Sequence, residues 1–186
     1  DIFRLQQLFA KIVKLGITHV VMEVSSHALA QERIAGLQFD AVIFTNFTQD
    51  HLDYHGNMAN YLAAKMKLLS FLKPTGCALW NMDDPTFRDE IKKRKDKNFY
   101  SYSIANPKAD YYPHQLEIKA SGINFSLQMH GGERADLSSP LTGSYNASNA
   151  ICTTACAHQL GCTAKQIHKG LKETTRVPGR LDAVHD

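Results

Sequence analysis

The stretch DAVIFTNFTQDHLDYHG, residues 40–56, decides the fold. An almost unbroken apolar run, Asp40 to Asn46, ends in the polar residues Thr48-Gln49-Asp50-His51. A short run without polar alternation suits a strand covered on both faces, as in a parallel sheet. Upstream, Thr18 to Val24 has the same character and breaks into Ser25-Ser26-His27, with a short helical stretch to about Ile34. Downstream, residues 57–72 have helical periodicity closed by Pro74 and Gly76, and a third run, Cys77 to Trp80, leads into Asn81-Met82-Asp83-Asp84-Pro85. Strand–helix–strand alternation with short connections predicts an α/β fold: a mostly parallel sheet, right-handed crossovers, helices on its flanks. The segments Phe99–Ser103, Tyr111–Lys119 and Ile123–Met129 read as strands of a small antiparallel excursion, about residues 99–142, punctuated by Asn106-Pro107, Ser121-Gly122 and Gly131-Gly132. Ala147–Leu160 and Thr163–Thr174 read as helices joined at Gly161, and Arg176 to Arg180 as a loop.

Composition narrows the class. The chain has 186 residues, 44% hydrophobic, 21% charged and 9% aromatic, enough to bury a core and too apolar for disorder. A net charge of +3 is too small and dispersed to make nucleic acid the main partner. The basic run Lys92-Lys93-Arg94-Lys95, at the end of a short helix, reads as a solvated face. No apolar run approaches the roughly 18 residues that span a bilayer, and no signal peptide opens the chain, so a cytoplasmic protein without membrane insertion is expected. Cys77, Cys152, Cys156 and Cys162 form no Cys-x-x-Cys pair and read as reduced, small hydrophobes. At the front, Asp1 is expected to cap a helix with Ile2, Leu5, Leu8 or Phe9, Ile12 and Leu15 on its apolar face, ended by Gly16. A chain opening inside a helix, without an initiator methionine, is expected to be part of a longer one.

Chemistry gathers where strands end. In open parallel sheets, ligands bind beyond the carboxyl ends of the strands. Glu23 lies in an apolar run, where a buried carboxylate needs a cation, a proton or a hydrogen bond; an arginine on a covering helix would serve equally. The loop Asp50-His51-Leu52-Asp53-Tyr54-His55 offers four metal-ligand types within six positions, and is otherwise a polar loop whose Asp53 or Asn57 caps the next helix. On that helix Met58, Leu62, Leu69 and Leu72 make an apolar stripe, and Lys65 sits in it. A lysine so placed ordinarily snorkels to the helix edge. The functional reading turns it into the site, toward Glu23 and His51.

With these residues in hand the chain resembles a known family. Met22 to His27, then Thr45-Asn46-Phe47 leading to Asp50–Gly56, then Tyr61-Leu62-Ala63-Ala64-Lys65 look like the central, ATP-binding domain of the Mur ligases. Asn81-Met82-Asp83-Asp84 is similar to the family's Asn-x-Asp-Asp strand exit. Gly143 to Ala150 resembles its Gly-x-x-Asn-x-x-Asn helix start, and Pro178-Gly179-Arg180 its terminal loop. The match runs through the whole chain in the family's order.

The resemblance implies an ATP-dependent amide ligase of peptidoglycan precursor synthesis. It would add the third amino acid, meso-diaminopimelate or L-lysine, to UDP-MurNAc-L-Ala-D-Glu through an acyl phosphate, acting as a monomer. It implies that Glu23 and His51 hold Mg2+ together with Lys65, whose amine carries a CO2-derived carbamate, and that these three are the catalytic residues. It implies that Ser25, His27 and Arg33 bind the UDP-MurNAc-peptide, and that Asn146, Asn149 and Arg180 meet ATP. The fold would then be of P-loop type but begin after the P-loop, since no Gly-x-x-x-x-Gly-Lys-Thr/Ser occurs in the chain. The domain would be incomplete at its N-terminus, and the family's uridine-binding and amino-acid-binding domains would lie outside the chain, which alone is expected to be inactive.

Two other classes remain open on the sequence. A metal-dependent hydrolase could use His51, Asp53 and His55, and would lose its metal on mutation of His55. A non-catalytic interaction domain would hold no divalent ion.

Overall fold

The computed structural model describes residues 2–91, 93–94 and 98–175. They fall into two compact units, one from the segments up to residue 39 and from 48 to 73, the other from 40 to 47 and from 74 onward.

The first unit is helical. Helix α1 (Ile2–Lys14) turns Ile2, Leu5, Phe9 and Ile12 to its half-buried side, which settles Phe9 over Leu8 in the stripe. Asp1, its expected cap, lies outside the described residues. Lys11 and Lys14 occupy its last turn, where cations complement the helix dipole, and Gly16 at φ +71° takes the left-handed conformation that ends it. Helix α2 (Ser26–Ala30) is capped by Ser25, whose Oγ accepts the amide of Ala28 at 3.2 Å. Helices α3 (Leu52–His55) and α4 (Met58–Met66) follow, α4 capped by Asn57 through the amide of Asn60 at 2.9 Å. The periodic segment does not stay α-helical to residue 72: it tightens into a 3-10 turn, Lys67–Phe71.

One expected strand does not form. Residues 18–24 form no strand and carry no ladder among the described residues, and they are not covered on both faces: Val21 is 97% exposed. A strand exists through its neighbours' hydrogen bonds, and an apolar run alone does not supply them.

The second unit holds two sheets. In the first, β1 (Phe39–Phe44), β2 (Leu72–Asn81) and β3 (Phe99–Tyr102) lie in the order β1-β2-β3, with β3 parallel to β2 from Ala78–Phe99 to Asn81–Tyr102. Central β2 is buried from Cys77 through Trp80, as a strand between two neighbours and under helices should be. Helix α5 (Pro85–Ile91) follows it. The second sheet is an antiparallel meander, β4 (Tyr112–Lys119), β5 (Gly122–Gln128) and β6 (Arg134–Ser139). The excursion is therefore shorter than expected: Phe99–Ser103 belongs to the parallel sheet, and the third antiparallel strand is Arg134–Ser139, which has too little apolar alternation to announce itself. Gly122, at φ +136°, closes the β4–β5 turn where an added Cβ would lie 2.5 Å from the carbonyl oxygen of Ser139.

Helices α6 (Ser144–Gln159) and α7 (Ala164–Glu173) cover this unit, α6 against β3 and β4, α7 against β6. Thr163 and Gln166 form a capping box at the start of α7. Leu79, Tyr102, Tyr111, Ile123, Leu127, Ala147 and Ile151 meet in one core. All four cysteines are free thiols, and Cys77 and Cys152 are buried. No helix among the described residues is long and apolar enough to cross a membrane.

The exit of β2 binds its surroundings through three polar side chains. Asn81 Nδ2 donates to the carbonyl of Thr45 at 2.9 Å. Asp83 accepts from the Ser103 hydroxyl and from the amide of Ile104. Asp84 Oδ1 accepts the amides of Thr86 and Phe87 at the start of α5, and its Oδ2 the amide of Phe47 at 2.6 Å. Replacing Asp84 by Ala removes an N-cap and leaves a peptide N–H without its acceptor, so unfolding in urea should lose about 2–3 kcal/mol. A loss under about 0.5 kcal/mol would contradict this role.

Candidate active site

The first unit builds a cluster of imidazole and phenol rings. Ser26 opens α2 and is almost fully buried; His27 follows it, half-buried. His51 precedes α3 in the left-handed conformation, φ 54° and ψ 27°, uncommon for a residue with a Cβ. Asp50 supports that turn: its Oδ1 accepts the His51 amide at 2.8 Å, and its Oδ2 lies 3.3 Å from His51 Nε2. With Gly56 at φ +77° closing the other end, the four-residue helix between them turns His51 and His55 in different directions.

His55 points inward. Its Nε2 is 2.9 Å from Ser26 Oγ, and its ring stacks on Tyr61 with centroids 5.3 Å apart and planes 27° apart. It also meets the rings of His27 at 5.4 Å and Tyr54 at 4.9 Å. Asn60 Nδ2 donates to its carbonyl at 3.1 Å. Burial, and then the neighbouring His27 and His51, push the His55 pKa below its usual 6.5, with Asp53 pulling weakly the other way.

His27 and His51 meet edge to face at 4.7 Å, and His27 lies against Tyr54 at 4.4 Å. Gln31 Nε2 donates to the Tyr54 hydroxyl at 3.2 Å. Tyr61 is common ground: His51 stands perpendicular to its ring at 6.0 Å, and Lys65 Nζ sits 5.2 Å from its centroid. Lys65 is half-buried, its amine held over an aromatic face rather than carried out into bulk water.

The expected site residues divide accordingly. His51 and Lys65 both lie against Tyr61, and His27 meets His51. Ser25 caps α2, which occupies its oxygen as an acceptor and leaves its hydroxyl hydrogen to donate. Glu23 is exposed on the extended segment, and among the described residues no hydrogen bond or ion pair joins it to His51 or Lys65. Arg33 is exposed in the turn after α2. At the start of α6, Asn146 Nδ2 donates to the Thr142 carbonyl at 2.8 Å, while Asn149 is exposed on the same helix. Arg180 lies outside the described residues.

The hydrolase arrangement does not form. His51, Asp53 and His55 do not converge, because His55 is committed to Ser26 and Tyr61. Among the described residues no three histidine, cysteine, aspartate or glutamate side chains gather closely enough to hold a metal ion. A hard divalent cation takes oxygen ligands. Asp50 and Glu23 offer carboxylate oxygens and His51 a ring nitrogen, but among the described residues they do not gather into a metal site, and the Lys65 ammonium is no ligand; only a carboxyl group added to its nitrogen would make it an oxygen donor.

The ring cluster escaped the sequence reading. Ser26 and Tyr61 stand in the motifs without a role of their own, and His55 is a ligand only in the hydrolase alternative. The usable signal was the four-residue spacing of Tyr61 and Lys65, which stacks one over the other on a helix.

Known proteins resemble this chain closely. Residues 1–157 match the family described as Mur ligase middle domain. A UDP-N-acetylmuramoyl-L-alanyl-D-glutamate–2,6-diaminopimelate ligase of Gloeobacter violaceus is 41% identical over 97% of the chain, and one of Halalkalibacterium halodurans is 38% identical over 98%. The chain spans 36% of the first relative and 38% of the second. A solved structure titled as the same ligase superposes with a TM-score of 0.86 at 31% identity, covering 98% of this chain and 38% of that one.

The depressed His55 pKa has a consequence for stability. Above about pH 6.5 both folded and unfolded states carry a neutral imidazole; below it the unfolded chain takes up a proton that the native state resists. Stability should therefore fall as pH drops below about 6.5, and His55→Asn should flatten that part of the urea-midpoint profile. An identical pH profile in the variant would contradict the assignment.

Proposed function

The chain belongs to the Mur ligase family, as its middle domain, and from that premise we propose that it serves an ATP-dependent ligase joining a diamino acid to UDP-MurNAc-L-Ala-D-Glu. The relatives' printed names favour 2,6-diaminopimelate over lysine as that amino acid. The observation that carries the reading is that His51 and Lys65 share the Tyr61 ring, with His27 against His51, on the segments that resemble the family's motifs.

In the proposed reaction the γ-phosphoryl group of ATP passes to the peptide carboxylate, giving an acyl phosphate. The diamino acid's amine attacks the acyl carbon, and the tetrahedral intermediate expels phosphate. Positioning and charge stabilisation dominate such transfers. A magnesium ion would neutralise charge on the phosphoryl oxygens. Lys65 as a carbamate, His51 and Glu23 would hold it, the carbamate having changed a half-buried cation into an oxygen donor.

His27 and the Ser25 hydroxyl would donate to the muramyl peptide, and the exposed Arg33 guanidinium would pair with its carboxylates. Asn146 and Asn149, at the start of α6, would meet the nucleotide, and Arg180 would reach it. These assignments make the protein a participant in peptidoglycan precursor synthesis in the cytoplasm.

The complete gene product should release phosphate only when ATP, UDP-MurNAc-L-Ala-D-Glu and a diamino acid are all present. Lys65→Ala and His51→Ala should each lower kcat by about 100-fold or more. Intact mass at neutral pH should show an added carboxyl group on the wild type and none on Lys65→Ala. Full turnover by Lys65→Ala would remove the reading.

A further inference from the structure

We propose that the Tyr54 hydroxyl is a further substrate-binding group, which donates to one carboxylate of the muramyl peptide and so tells its two glutamyl carboxylates apart. The inference rests on the ligase reading for its ligand and on the geometry of α2 and α3 for its residue. Tyr54 is 45% exposed, although its ring packs against His27 at 4.4 Å and His55 at 4.9 Å. A phenol gripped by its neighbours and still open to water has little rotamer freedom left to lose when a ligand arrives.

The hydroxyl is the open end of that side chain. Its oxygen accepts from Nε2 of Gln31, the residue that closes α2, at 3.2 Å. Among the described residues its hydrogen has no acceptor, and Asp53, its neighbour on α3, makes no hydrogen bond with it. Accepting from an amide polarises an O–H and strengthens what it donates. The other groups that α2 presents are donors too: the Ser25 hydroxyl keeps its hydrogen after capping the helix, and the Arg33 guanidinium is exposed just beyond it. Such a rim suits a ligand that only accepts, and an ionised carboxylate is one.

The proposed reaction gives this donor a purpose. The glutamyl residue of UDP-MurNAc-L-Ala-D-Glu carries two free carboxylates, of which one becomes the acyl phosphate and the other has to be held still. A guanidinium attracts either of them, since charge alone does not distinguish two like ions. A neutral O–H fixed in direction by His27 and Gln31 adds the geometric choice.

The test is a cycle across protein and ligand. In the complete gene product, calorimetry without ATP would measure the affinity of UDP-MurNAc-L-Ala-D-Glu and of two analogues, each with one glutamyl carboxylate replaced by an amide. Tyr54→Phe keeps the ring against His27 and should leave Tm unchanged, while the parent ligand binds about 10-fold more weakly. For one analogue, the loss relative to the parent should be about 5-fold or more greater in wild type than in Tyr54→Phe. In turnover, KM for the muramyl peptide should rise in Tyr54→Phe and KM for ATP should stay within twofold of wild type.

A packing role predicts another pattern: Tyr54→Phe matches wild type on all three ligands, and only Tyr54→Ala, which loses the ring, lowers both Tm and affinity. Parent-to-analogue ratios that agree within twofold between wild type and Tyr54→Phe for both analogues overturn the proposal. If wild type still discriminates between the ligands in that case, the ligase reading stands and Tyr54 alone is removed. Wild type that binds none of the three ligands refutes the ligase reading itself, and this inference with it.

Discussion

The parallel sheet depends on how its central strand ends. Two adjacent carboxylates leave β2 in opposite senses: Asp83 fastens the chain after β3, and Asp84 fastens the chain after β1 while capping α5. Asn81 adds a third tie, to the Thr45 carbonyl. Polar groups at strand exits usually lie open to water and contribute little. Here they satisfy backbone amides of both neighbouring exits, so a change in one would be felt in three loops. An ionised carboxylate accepting several amide hydrogen bonds is the strongest inexpensive way to hold loops that have no sheet of their own.

A different logic governs the helical unit. Beside the buried Leu29, Ile34 and Ala64 it carries a chain of ring contacts that links Tyr54, His27, His51, His55 and Tyr61 at centroid distances of 4.4 to 6.0 Å. Burial, then the nearby His27 and His51, lower the pKa of His55 from its usual value. The lysine on the neighbouring helical turn finds an aromatic face instead of a carboxylate.

Much of this was legible in the residues. The unbroken apolar runs at β1 and β2, the stripe on α4 and the two late helices announced themselves because burial leaves a periodic mark. The order of motifs announced the family. Other parts left no such mark. Thr18 to Val24 carries the composition of a strand, yet pairing is a property of two segments and cannot be read in one. β3 looked like the first strand of the meander because its neighbours in sequence lie there, whereas its hydrogen bonds go back to β2. Lys65 was suspected for its place in an apolar stripe. The ring beneath it could be found only by asking what stands one helical turn away. His55 has a type that suggests coordination, as in the hydrolase alternative, while its burial places it among the packed side chains.

The four thiols of the second unit lead somewhere else. Burial raises Cys152 to about 12 and Cys156 to about 11, and lifts Cys77 as well. Thiolate is the form that electrophiles and peroxides attack, and at neutral pH these three hold almost none of it. A fold that keeps its sulfur so inert can pass through oxidative episodes unmarked. An alkylating reagent that labels the buried Cys77 or Cys152 would then be a clock for the core's opening rather than a map of its surface.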